Sequence, residues 1–99
     1  MMEIQKGDIV LSKNGRDKGK PFYVLNVEES YLLLVDGKGR ELEQPKRKKA
    51  KHCGFLEREH SRFAEKMRND EKILNSELRR AIAAYKAGKN LECDKQEGG

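Results

Sequence analysis

Between Gly7 and Val35 the chain runs through three short apolar segments, and the residues between them are turn formers. The segments are Asp8–Lys13, Phe22–Val27 and Tyr31–Val35. Each has the usual length of a strand and is too short for a stable helix. Asn14-Gly15 follows the first, Gly19 and Pro21 precede the second, and Glu28-Glu29-Ser30 separates the second from the third. Phe22–Val27 is rich in aromatic and β-branched residues and is apolar on both alternating faces. A strand buried on two sides needs a sheet that closes on itself, or one covered by a helix.

Downstream the pattern weakens. Asp36-Gly37 begins a turn, and Arg40–Glu43 is expected as a short fourth strand ended by Gln44-Pro45. A fifth strand is expected around Lys49–Phe55. Several short strands with frequent turns suit a small barrel. After Gly54 the apolar period changes. Phe63 and Met67 lie four apart, and Leu74, Leu78, Ile82 and Tyr85 form one helical stripe. A first helix is expected from about Glu59 to Lys72. A second is expected to be capped by Asn75 or Ser76, with Glu77 in its first turn and Gly88 as its stop. The expected class is therefore α+β: a barrel over 1–56, a helical extension packing on it over 57–88, and a polar tail over 89–99.

The 99 residues carry 39% charged and 35% hydrophobic side chains, so the core is thin and must be shared among short elements. Lys and Arg number 22 against 17 acids, a formal charge of +5. The excess sits at the front: residues 1–52 hold 12 basic and 8 acidic side chains. Such a balance favours nucleic acid or another anionic surface as partner. The longest apolar runs, Tyr31–Val35 and Ala81–Tyr85, are five residues. That is far short of the roughly 20 needed to span a bilayer. No signal-peptide pattern opens the chain, so a cytoplasmic protein without a membrane partner is expected. Cys53 and Cys93 lack a pairing signature and are expected as free thiols.

Two basic segments are candidates for function. The Asn14–Lys20 loop sets Lys13, Arg16, Lys18 and Lys20 around Gly15 and Gly19. Glycine lets a backbone approach a phosphate and the cations neutralise it, although a solvated hairpin loop has the same composition. It lacks the Gly-Lys-Ser/Thr ending of a nucleotide-binding loop. In Pro45–His52, the residues Lys46, Arg47, Lys48, Lys49 and Lys51 place five cations in six positions. Such crowding is unfavourable without an anion, though a solvated basic segment is the alternative. Phe22, Tyr23 and Tyr31 lie in expected strands, where they pack a core or stack on a base. Tyr31, beside a turn, is best placed to reach one. Arg79, Arg80 and Lys86 lie off the apolar stripe of the second helix, free to meet RNA or a protein neighbour.

His52, Cys53 and His60 fit no common zinc spacing, so neither metal nor cofactor is expected. The acids are scattered, and no nucleophile stands beside a base. Asp17 and Asp36 are accounted for by turn chemistry. No catalytic residue is assigned.

Gly7-Asp8-Ile9-Val10, the Gly15–Gly19 loop and the Phe22–Val27 exit together resemble the KOW motif of RNA-binding SH3-like barrels. The longer pattern is GRDKGK, then VDGKGRELEQPKRKKAKH, then NSELRRAIAAY. It resembles the KOW-domain RNA-binding proteins of Gram-positive bacteria, which are similar to a group of eukaryotic and archaeal large-subunit ribosomal proteins. The resemblance spans about residues 5–87 and departs at Cys53-Gly54-Phe55, where a simpler apolar continuation is expected. It implies an SH3-like barrel that binds ribosomal or other structured RNA, with ribosomal proteins as further neighbours. The implied contacts are Arg16, Lys18, Gly19, Lys20, Arg40, Lys46, Lys48, Lys49 and Lys51. The competing reading is a protein-interaction module with an SH3-like barrel and no nucleic-acid role.

Overall fold

The apolar runs at the front do form strands, and each is bounded by the turns that the sequence marks. A computed structural model describes residues 3–88 and contains β1 (Asp8–Ser12), β2 (Pro21–Val27) and β3 (Tyr31–Val35). These are followed by β4 (Lys46–Lys49), a 3-10 turn over Ala50–His52, β5 (Cys53–Arg58), and helices α1 (Arg62–Arg68) and α2 (Asn75–Gly88). The five strands make one antiparallel sheet in the order β4-β3-β2-β1-β5. The fold is thus a small α+β arrangement of a five-stranded sheet and two helices. The expected tail and Cys93 lie outside the described residues.

The two apolar faces of β2 are buried against different neighbours. Tyr23 pairs with Ile9 and Val35 across the sheet, and helices cover this side with Met67, Leu78, Ile82 and Tyr85. The Tyr23 and Phe63 rings meet edge to face at 5.2 Å. Tyr23 also donates its hydroxyl to Glu59; its burial, with that carboxylate beside it, pushes the phenol pKa up. On the opposite side Val10, Phe22, Val24, Leu32, Leu34 and Cys53 form a second cluster. No helix residue belongs to it, and Ile4 and Ala50 complete its enclosure. The pairing is irregular between Val24 and Asn26, and between Ile9 and Val10 against β5, the kind of irregularity that bends a strand. Helices therefore cover one face of the sheet, and the other face is buried without them.

A buried ion pair joins the barrel-like sheet to its extension. Asp8, 0% exposed, accepts hydrogen bonds from Arg58 Nε at 3.0 Å and Nη2 at 3.1 Å, and from the Gln5 amide at 2.8 Å. Arg68 of α1 lies 3.7 Å from the same carboxylate. At Gly37 the connection to α2 is close: a Cβ there would lie 2.6 Å from the Asn75 carbonyl oxygen and 2.9 Å from the Arg79 amide nitrogen. Arg79 Nη1 donates to the Gly37 carbonyl at 2.8 Å.

The later elements differ from expectation, and the backbone hydrogen bonds give the reason. Arg40–Glu43 is not a strand. Asp36 Oδ1 accepts from the amides of Lys38 and Arg40, both at 2.9 Å, and Gln44 donates to the Glu41 carbonyl. The Leu42 amide goes to Asn75 Oδ1 at 2.8 Å, so the ladder bonds a strand would need are spent elsewhere. The fourth strand is instead Lys46–Lys49, the basic run itself. Of the expected fifth strand, Lys49 ends β4, Ala50–His52 form the 3-10 turn, and β5 begins only at Cys53. The first helix is shorter than expected: Ser61 Oγ caps it by accepting from Ala64 N, and it ends before Asp70, whose φ is +60°. The Asn75 side chain holds Leu42 and Glu43 rather than capping α2. Glu77 Oε1 instead accepts from the Leu74 amide, one half of a capping box. Leu74, expected in the buried stripe, is 52% exposed.

Candidate nucleic-acid interface

The β1–β2 loop is closed by its own backbone. Gly19 donates to the Ser12 carbonyl at 2.8 Å and Ser12 to that of Lys20 at 3.1 Å. Within it, Lys18 donates to Gly15 and Lys20 to Asp17, forming two successive turns. Of the Asn14-Gly15 pair only Gly15 adopts positive φ, at +81°. A Cβ at Gly19 would meet nothing within 4 Å, so the backbone there is open to an approaching group.

Asp17 ties this loop to two distant segments. Its carboxylate lies 3.8 Å from Lys20 Nζ, 3.8 Å from Arg40 Nη2 and 3.8 Å from Lys46 Nζ. At that separation the attraction is Coulombic, and no hydrogen bond is made. The three cations are held together while their N–H donors stay unspent on Asp17. Asp17 Oδ2 is itself buried without a hydrogen-bond partner. Lys48 Nζ, two residues along β4 from Lys46, donates to the Asn14 carbonyl at 3.2 Å. Lys13, Arg16 and Lys18 are exposed and make no ion pair among the described residues.

The strand period divides the basic run. Lys46 and Lys48 stand opposite Leu34 and Leu32 in register and reach toward the β1–β2 loop. Arg47 and Lys49 point to the other side, opposite Leu33 and Tyr31. There the Arg47 guanidinium carbon sits 3.8 Å above the centroid of the Tyr31 ring, and Arg47 Nε donates to Glu28 Oε1 at 2.8 Å. That bond raises the Arg47 pKa further above its ordinary value. One face of the Tyr31 ring is thus covered by Arg47. Lys51, in the 3-10 turn, is exposed near Lys49.

The sequence-derived residues therefore fall into two groups. Lys20, Arg40, Lys46 and Lys48 converge with the loop that carries Arg16, Lys18 and Gly19, and Lys13 is adjacent. Tyr31, Arg47, Lys49 and Lys51 form a separate set across the sheet edge. Sequence reasoning missed Asp17 as the hub; the signal was a carboxylate in the middle of a basic loop. It also missed Glu28, which anchors Arg47. Cys53 is a free, buried thiol. Burial pushes its pKa up, and the nearby Lys48 and Lys13 offset this only in part. Among the described residues no group of three His, Cys, Asp or Glu side chains is placed to hold a metal ion. None of their helices is long and apolar enough to cross a membrane.

The chain matches no model of a known protein family, and no curated protein matches it.

Proposed function

We propose that this protein binds RNA through the cationic surface that the β1–β2 loop forms with Arg40, Lys46 and Lys48, as a KOW-type SH3-like barrel with a helical extension. The observation that carries the reading is the trio of Lys20, Arg40 and Lys46 at 3.8 Å around Asp17. These residues come from three segments and are gathered with N–H donors to spare. A phosphate oxygen is the ligand such donors take up. A five-stranded antiparallel sheet followed by two helices supports the same reading, because the resemblance implies a small barrel with a helical extension. The site is a phosphate-positioning surface, so shape and backbone charge dominate over base sequence. Ribosomal or another structured RNA in the cytoplasm is the partner class, and the role is binding rather than catalysis.

Fluorescence anisotropy with a structured RNA over a salt series tests this. Arg16→Ala with Lys18→Ala removes two exposed cations that make no ion pair among the described residues, so the fold is left intact. Each lost phosphate contact lowers the slope of log affinity against log salt by about 0.7–0.9. A double variant with wild-type affinity and slope would refute the assignment. Crosslinking in cells, followed by sequencing of the attached fragments, identifies the RNA. Capture of a protein partner that survives nuclease treatment would favour a protein-interaction module instead.

A further inference from the structure

The stacked pair on the far side of β4 is not used by the phosphate surface, and its surroundings suit a different part of a nucleic acid. The Arg47 guanidinium carbon sits over the Tyr31 ring, 3.8 Å from its centroid, while the side chain remains 59% exposed. The ring thus covers the guanidinium from one side, and more than half of the side chain stays open to solvent. Arg47 Nε also donates to Glu28 Oε1 at 2.8 Å, a second tie on the same group. The turn beneath is firm: Glu28 donates its amide to the Tyr31 carbonyl, and Ala50 donates to the Ser30 carbonyl, tying the 3-10 turn to the hairpin. Two shallow depressions meet here and share Glu29 and Ser30. One is bordered by Tyr31 and Arg47, the other by Lys49 and Lys51.

We infer that this groove takes an unpaired nucleotide, with its base stacked on the exposed side of Arg47 and its phosphate between Lys49 and Lys51. Bases stack on guanidinium planes as they do on aromatic rings. A groove serving phosphate alone would not carry the carboxylates of Glu28 and Glu29, whereas a base presents amino and imino donors to them. A base inside a duplex cannot reach this platform because it is stacked on both sides. The two basic sets lie on opposite sides of edge strand β4. The ligand class that uses both is an RNA helix that gives way to a single strand. The inference rests on the RNA-binding reading and narrows it.

The test compares a blunt RNA hairpin, the same hairpin with a short unpaired tail, and a tailed version lacking bases in the tail. Arg47→Lys keeps the charge and removes the plane; Tyr31→Leu removes the ring beneath it. Wild-type protein should bind the tailed hairpin about tenfold more tightly than the blunt or abasic forms, the scale of one stacked base. Emission of a fluorescent adenine analogue in the tail should be quenched on binding. Each variant should abolish the advantage and the quenching while leaving blunt-hairpin affinity and salt slope unchanged. Equal weakening of blunt and tailed RNA, or no tail advantage in the wild type, would overturn the groove assignment and leave the phosphate surface standing. Absence of salt-dependent binding to every RNA would overturn both. Displacement of the tail by a polyglutamate peptide that binds more tightly would show the groove to be a protein site.

Discussion

Replacing Asp17 by Asn removes the charge that holds three cations together and keeps the side-chain shape. At 3.8 Å one ion pair is worth about 1 kcal/mol at the dielectric of water and about 4 kcal/mol at an effective dielectric of 20. The Lys20 and Arg40 side chains are 63% and 41% exposed, so both pairs lie near the watery limit and lose part of that to side-chain ordering. Lys46, at 28%, is more sheltered and its pair is stronger. Desolvation of the buried, unpartnered Oδ2 opposes all three. A net loss of about 1–2 kcal/mol follows. For a domain of this size it corresponds to a fall in Tm of roughly 5–15 °C. Circular dichroism melts at low salt and at 1 M salt measure it. The Debye length at 1 M is about 3 Å, shorter than the pair distance, so the difference between Asp17→Asn and wild type should shrink by at least half. An unchanged Tm at low salt, or an equal fall at both salts, would show that Asp17 does not organise the cluster.

Asp8→Asn leaves Arg58 and Arg68 facing a neutral group in a fully buried position, and urea unfolding should show a loss of about 2–3 kcal/mol. Gly37→Ala places a Cβ 2.6 Å from the Asn75 carbonyl oxygen at a φ of +81°, so its unfolding midpoint should fall by the equivalent of more than about 2 kcal/mol. Gly39→Ala, where a Cβ meets nothing within 4 Å, should be neutral in the same assay. Tyr23 keeps its proton in the folded protein above the ordinary tyrosine pKa of about 10. The unfolded chain binds fewer protons there, so the Tyr23 contribution is full below about pH 10 and is lost as pH rises beyond it. Alkaline titration of tyrosinate absorbance should show a component that appears only with unfolding, and Tyr23→Phe should reduce it.

Much of the scaffold is legible in the chain because local patterns dictate it. The β1, β2 and β3 strands lie within a residue of where apolar composition and turn residues put them, since each buries its own side chains. Leu78, Ile82 and Tyr85 are buried at helical spacing for the same reason. The fourth strand was not legible. Lys46–Lys49 has no apolar residue to mark an inward face, and it is a strand because β3 offers it a free edge. Lysine on an edge strand also discourages pairing with further chains.

The sequence alone determined how many cations there are and which segments carry them. It could not determine which of them face one another. That was decided by the period of two in β4, which splits adjacent basic residues onto opposite sides of the sheet, and by Asp17, whose attraction for Lys20, Arg40 and Lys46 acts through space and ignores separation along the chain.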